Sequence, residues 1–224
     1  MYKTIKNNRD ETIPITTRRV VTRKCDCATS GKASCIKNCS NANRTLWTKS
    51  DGDCITIPVE CTPANCCFGE KNCGNRILLE EQHINNCFPH KQNDVGTALC
   101  ATTEIPKGGL IGQYLGAITR EGKHTPKGNY TAVMLRPDNE NGYSNLWVDS
   151  EKCGNLTRFM NHSCNPNCVW EQRQVNGCQT LWIRTTKLIH KKKPITIDYG
   201  PNATDFFSGR VCQCGENCCR FIRK

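Results

Sequence analysis

From Val95 to Tyr199 the chain alternates short apolar runs with polar turns. The runs are VGTALCATTEI from Val95, LIGQYLGAI from Leu110, YTAVML from Tyr130, NLWVD from Asn145, QTLWIRTT from Gln179 and PITIDY from Pro194. Short runs of this kind, bounded by turn residues, read as strands. Pro106-Lys107-Gly108-Gly109 marks a turn between the first two, and the polar stretches Gly122 to Gly128 and Pro137 to Gly142 predict loops. The pattern predicts a mostly β chain of several small sheets and not a βαβ repeat. Residues 76–90, RILLEEQHINNCFPH, predict a link with room for one short strand. Residues 1–24 carry few large apolar side chains and predict a flexible or loosely docked arm, with Val20-Val21 as a candidate edge strand. No internal repeat and no low-complexity tract is present.

Composition changes this picture in one respect. Apolar residues make up 37% of the chain, which is low for a single large core, while 19 of its 224 residues are cysteine. Sulfur must supply part of what a core would otherwise supply, through metal or disulfides. The start, MYKTIKNNRDETIPITTRR, lacks the apolar segment of a signal peptide, and no run is long enough to span a membrane. The cysteine count is odd, and CxC and CC pairs recur, spacings that suit thiolate zinc sites in a reducing compartment. A secreted, disulfide-held binding protein is the competing reading, and outside secretion the sequons at Asn43 and Asn202 are chance. The formal charge is +11 from 31 basic and 20 acidic residues. Eleven thiolates on three zinc ions would contribute about −5, leaving about +6. A basic chain suits an acidic or nucleic-acid-bearing partner such as chromatin, and Arg18, Arg19, Arg23 and Lys24 are candidate phosphate contacts. Surface lysines that only keep the protein soluble would look the same.

One stretch follows neither helix nor strand spacing: GNLTRFMNHSCNPNC, Gly154 to Cys168, with Asn, His, Ser and Cys gathered around Pro166. ITIDYG, Ile195 to Gly200, and CQCGENCCRF, Cys212 to Phe221, follow it. In order and spacing the three resemble the NHSCxPN, DY and CxCGx3CR segments of SET-domain protein lysine methyltransferases. Upstream, the spacing of Cys25, Cys27, Cys35, Cys39, Cys61, Cys66 and Cys73 resembles the AWS module that precedes SET in one branch of that family. Cys54 falls in an apparent insertion, Asn41 to Pro58, and Cys67 stands as the alternative to Cys66. The resemblance implies a SET fold of small sheets with a threaded pseudoknot. It also implies four parts: an arm over 1–24, an AWS-like zinc module over 25–75, a SET domain over 76–200 and a post-SET zinc segment over 201–224.

The implied activity is methyl transfer from S-adenosylmethionine to a lysine amine of a histone tail. QVNG, Gln174 to Gly177, resembles the branch acting on histone H3 at lysine thirty-six. The implied setting is the nucleus and chromosome, with a nucleosome as partner and a monomeric enzyme. Tyr199 and Tyr114 match the family's catalytic tyrosines, with Tyr130 a further channel candidate. Val95, Gly96, Tyr114, Arg158, Phe159, Asn161, His162 and Tyr199 match cofactor-binding positions. Asn167 and Pro166 match the pseudoknot crossing. Seven cysteines sharing one sulfur would hold two zinc ions, and Cys164, Cys212, Cys214 and Cys219 a third, with Cys218 spare. The chain departs from the family at Asp94, Gln113, Ala117 and Lys192, the last standing where a glycine is usual. Those departures sustain a second reading, a catalytically weak or inactive SET module that binds chromatin or peptide. Ile197 stands where relatives carry Phe or Tyr, which implies room for a second or third methyl group. Pro201 to Val211 implies a loop able to cover the lysine channel.

Overall fold

The computed structural model of this chain describes residues 45–48, 54–61, 66, 67, 73, 75–92, 95–120, 128–138, 142–175, 178–201, 203–207 and 211–221. The expected arm with Val20-Val21, the ligand candidates Cys25, Cys27, Cys35 and Cys39, and Asp94 lie outside the described residues. Strands β1 (Thr45–Thr48) and β2 (Cys54–Thr56) form a hairpin within the stretch read as an insertion. Then come β3 (Cys87–Gln92), β4 (Gly96–Ala101), β5 (Leu110–Gln113), β6 (Ala117–Arg120), β7 (Thr131–Asp138) and β8 (Gly142–Asp149). The series ends with β9 (Asn161–His162), β10 (Cys168–Val175), β11 (Cys178–Thr185) and β12 (Thr196–Ile197). They pair as β1-β2, β3-β4, β6-β8-β7, β10-β11-β5 and β12-β9. Helical structure among the described residues consists of short 3-10 turns. The molecule is mostly β and built of small sheets, as the hydrophobic pattern predicts.

The differences from expectation are local. The run LIGQYLGAI breaks in two after Gln113. The break follows from Gly116, where a Cβ would lie 2.4 Å from the Asp149 carbonyl oxygen. Ser150 Oγ donates to the Leu115 carbonyl at 2.6 Å and fixes the same corner. Strands β7 and β8 reach Asp138 and Gly142, so the loop expected over Pro137 to Gly142 is shorter than the sequence suggested. The 76–90 link forms two 3-10 turns, Ile77–Leu79 and His83–Asn86, and then enters β3.

Strand β10 was not foreseen, because Glu171, Gln172, Arg173 and Gln174 are four consecutive polar residues. It forms a hairpin with β11, with Val175 opposite Cys178 across the Asn176-Gly177 pair. Asn-Gly between two strands is a strong hairpin signal. The polar run is satisfied by side chains rather than by water. Arg184 bonds to Glu171 and, at 2.7 Å, to Glu80, and Arg173 reaches Asn75 at 3.2 Å. The Gln172 carboxamide accepts from the Leu135 N–H at 2.9 Å and donates to the Leu135 carbonyl at 2.6 Å. Burial works to raise the Glu171 pKa, but the two guanidinium groups outweigh it and hold the carboxyl below its usual range.

Side-chain alternation gives the β10-β11-β5 sheet two buried faces. Ile111 and Ile183 point into the main core with Leu99, Met134, Val148, Ile195 and Ile197, while Leu110 and Trp182 pack with Ile77 and Val175 on the opposite face. The cysteine-rich segment pairs with the β10 edge of this sheet, where Val59 bridges Gln174. Glu60 N–H donates to Gln174 O at 2.9 Å and Gln174 N–H to Pro58 O at 3.0 Å. The two motif segments meet in the parallel β9-β12 pair, with Asn161 opposite Thr196 and His162 opposite Ile197. Asn167 stitches the crossing: its Nδ2 donates to Pro194 O at 2.9 Å and its Oδ1 accepts from Thr196 N–H at 2.9 Å. These are the two segments for which the resemblance implied a pseudoknot.

Candidate functional site

Two cavities meet at Tyr199. The first, about 450 Å3, lies between the start of β4, the β9 strand and the C-terminal segment. Val95, Gly96, Arg158, Asn161, His162 and Tyr199 line it together with Phe206, Phe207 and Gln213. Gly96 has φ +78° and open space where a Cβ would stand, so the backbone conformation is what requires glycine there. The His162 ring is fixed on several sides. Its Nδ1 accepts from the Tyr199 N–H at 3.2 Å, its Nε2 faces Cys164 Sγ at 3.3 Å, and the rings of Tyr199, Phe207 and Phe221 stand 5.4–5.6 Å away. Burial lowers its pKa, with Asp198 opposing. The neutral imidazole is therefore favoured. Asn161 Nδ2 donates to the Thr97 carbonyl at 3.4 Å and ties β9 to β4. Arg158 donates to the Glu151 carbonyl at 2.8 Å and lays its guanidinium 4.3 Å from the Tyr130 ring centroid.

The second cavity, about 550 Å3, is more aromatic and apolar. Tyr114, Trp147, Met160, Trp170, Ile197 and Tyr199 are among its walls. Tyr114 stands edge-on to Trp170 at 5.3 Å. Its hydroxyl donates to the Tyr130 carbonyl at 2.8 Å, and the Tyr199 hydroxyl donates to the Met160 carbonyl at 2.8 Å. Burial pushes Tyr114 up to about 12 and Tyr199 further still. Both remain phenols at neutral pH, with oxygen lone pairs free to face an electron-poor group. Asn129, Arg158, Tyr199 and Phe206 line both cavities. Ligands in the two cavities would therefore share a wall that includes Tyr199.

A sulfur cluster closes one end of the first cavity. The Sγ atoms of Cys164, Cys212, Cys214 and Cys219 lie within 4.8 Å of one another. Cys164 and Cys219 are 3.8 Å apart, the edge of a tetrahedron with Zn–S bonds of about 2.3 Å. Burial works to raise Cys214, but backbone groups of Cys164 and Glu216 and the neighbouring thiols bring it down to about 7. The donor set fits zinc. Arg220 locks the segment down: its N–H donates to Cys164 Sγ at 3.4 Å and its guanidinium meets Asp198 at 2.6 Å. A second group unites Cys61, Cys66 and Cys73, all buried, with Asn75 Nδ2 donating to Cys61 Sγ at 3.4 Å. Between the neighbouring candidates, Cys66 is the one beside Cys61 and Cys73, while Cys67 is more exposed and outside the group.

Of the expected site residues, Val95, Gly96, Arg158, Asn161, His162 and Tyr199 line the first cavity, and Tyr114 lines the second. Phe159 lines neither. Its ring lies 5.5 Å from the Arg158 guanidinium and packs on the core. Sequence reasoning did not single out Phe206, Phe207, Asn129, Trp147 or Trp170. The Phe206-Phe207 pair inside a polar loop was a usable signal, since adjacent aromatics in such a loop need a surface to cover. Tyr199 and Phe206 stack edge to face at 5.5 Å.

Residues 96–200 match the SET domain family, and the small sheets are consistent with that fold. The chain is a SET-domain protein similar to histone-lysine N-methyltransferases. It is 28% identical over 201 residues to histone-lysine N-methyltransferase ash1 of Drosophila melanogaster, covering 88% of this chain and 8% of the relative. It is 30% identical over 162 residues to histone-lysine N-methyltransferase ASHR3 of Arabidopsis thaliana, covering 68% of this chain and 30% of the relative. It is 28% identical over 180 residues to a histone-lysine N-methyltransferase of Cryptococcus neoformans described as H3 lysine-36 specific, covering 75% and 20%. The chain thus spans less than a third of the length of each of these relatives.

Proposed function

We propose that this chain transfers methyl groups from S-adenosylmethionine to a lysine of a histone tail, of the histone H3 lysine-thirty-six class. The observation that carries the reading is the single wall, Tyr199 with Arg158 and Phe206, shared by a polar cavity and an aromatic one. The target class draws on the relative described as H3 lysine-36 specific.

The first cavity would hold the cofactor through Val95, Gly96, Arg158, Asn161, His162 and Tyr199, with Phe159 supporting Arg158 from behind. S-adenosylmethionine, when bound, supplies an electrophilic methyl group on a sulfonium. The chain's own part is positioning and desolvation. The second cavity surrounds an incoming lysine with Tyr114, Trp147, Trp170 and Ile197, and loss of water there favours the neutral amine. The Tyr199 and Tyr114 oxygens and the Met160 carbonyl present lone pairs to the positive charge near the reacting carbon. Holding amine and methyl in line supplies much of the rate. Cys164, Cys212, Cys214 and Cys219 would hold one structural zinc, and Cys61, Cys66 and Cys73, together with Cys25, Cys27, Cys35 and Cys39, two more. The four-part division at residues 24, 75 and 200 follows these clusters. A nucleosome is the natural partner, in the nucleus, with the enzyme acting as a monomer.

Methyl transfer to nucleosomes, free histones and an H3 peptide tests the reading, with Tyr199→Phe as the control expected to lower turnover about a hundredfold. Calorimetry with S-adenosylmethionine is the companion measurement. Zinc-loaded protein that binds no cofactor would replace the enzyme by a chromatin-binding SET module.

A further inference from the structure

The turn from β11 to β12 takes no part in the proposed chemistry, yet it is strongly charged. Lys187, His190, Lys191, Lys192 and Lys193 are all exposed on it. Its backbone is firmly held. Ile105 and Ile189 exchange both backbone bonds at 2.9 Å, Lys192 N–H donates to Ala101 O at 2.7 Å, and Lys193 N–H donates to His190 O at 3.0 Å. Immediately beyond, Ile195 N–H donates to Leu99 O at 2.7 Å. The neighbouring turn carries exposed Lys107 and is pinned alongside by Gly108 N–H to Thr185 O at 2.9 Å.

Lys192 is the non-glycine residue with positive φ, +66°, among the described residues. A Cβ is disfavoured in that conformation, and glycine would sit there without strain. The side chain is exposed, so packing does not explain a lysine. What the position presents is charge. The two nearby carboxylates bond elsewhere and not to these lysines: Glu104 meets His190 at 2.7 Å, and Glu216 accepts from Asn165 at 3.2 Å. Among the described residues, Lys107, Lys191, Lys192 and Lys193 have no carboxylate partner.

We propose that this platform binds the phosphate backbone of duplex DNA. Consecutive cations on a hydrogen-bonded backbone complement a stiff polyanion carrying one charge per roughly 1.7 Å of axis, and lysine binds phosphate as a point charge. The net charge, +11 by formal count and about +6 with three zinc ions on eleven thiolates, acts in the same direction. The inference rests on the histone reading in one respect: the duplex would be the DNA that accompanies the histone substrate.

The test measures binding of the full chain to a 20-base-pair duplex, by fluorescence anisotropy, between about 50 and 200 mM salt. The variant joins Lys191→Gln, Lys192→Gly and Lys193→Gln, and Lys192→Gly is also made alone. The triple variant should lose at least tenfold in affinity, and its slope of log K against log salt should flatten by about 2–3. Lys192→Gly alone should bind more weakly while melting at or above the wild-type temperature, because strain is relieved. Methyl transfer to a free H3 peptide should be unchanged in both variants and transfer to nucleosomes reduced. Wild-type affinity and slope in the triple variant would overturn the proposal, as would poly-glutamate competing as well as DNA at equal charge. Absence of peptide methylation in every protein would defeat the enzyme reading alone, since the duplex measurement does not depend on it.

Discussion

Cys164→Ser examines how the C-terminal segment is held. Residues 211–221 form no strand, and they meet the body through Cys164, the Arg220–Asp198 pair, Glu216 and the Phe221–His162 contact. Ordering these eleven residues costs on the order of 11–22 kcal/mol at about 1–2 kcal/mol each. Structural zinc on cysteine ligands returns about 10–16 kcal/mol. The two are comparable, so loss of the metal is expected to release the segment. Cys164 is the one ligand of this cluster outside the segment, and its removal cuts the tie. Release removes Cys212, Gln213 and Cys214 from the first cavity and takes the Phe221 ring away from His162. We therefore expect zinc content to fall by one ion per chain and the dissociation constant for S-adenosylmethionine to rise at least tenfold. The melting transition of the sheets should change little. Metal analysis by mass spectrometry, calorimetry and thermal melting read the three effects. A variant that loses the ion and binds the cofactor as before would show that the clamp does not shape the cavity.

Other positions offer independent checks. Gly116→Ala drives a Cβ against the Asp149 carbonyl at 2.4 Å. Overpacking of that kind costs about 1–3 kcal/mol, or roughly 2–12 °C in melting temperature for a chain of this size, and an unchanged melt would dismiss the steric account of the β5–β6 break. Glu171 titrates below its usual range because Arg184 and Arg173 outweigh its burial. Its stabilising contribution is complete above the ordinary carboxylate range and is lost as pH falls through its lowered folded pKa. Glu171→Gln should therefore flatten the acid limb of a plot of melting temperature against pH, and an identical limb would count against the network. Ile197 is 1% exposed and borders the second cavity, with no hydroxyl to hold a product amine. Mass spectrometry of modified peptides should show di- or trimethylated lysine, and strict monomethylation would defeat that expectation.

The balance between sequence and structure is clearest at particular residues. The short runs with β-branched side chains were legible as strands because alternation is a local property. β10 was not legible, since the four polar residues Glu171 to Gln174 carry no apolar alternation, and their partners Arg184, Asn75 and Leu135 lie on other segments. Cys66 and Cys67 are neighbours that local chemistry cannot rank. Proximity to Cys61 and Cys73 separates them. Phe206, Trp147 and Trp170 come from three separate segments, and a cavity wall made of separate segments has no spacing to detect.

By itself, then, the sequence determined the mostly β character, the reliance on sulfur and the identity of the polar motif that lines the first cavity. Those follow from residue type and spacing along the chain. The tertiary structure decided which aromatic residues surround Tyr199, which cysteines share a site, and that a row of lysines stands on a rigid, strained turn. Each of these depends on contacts between residues far apart in the chain, set by how the sheets pack.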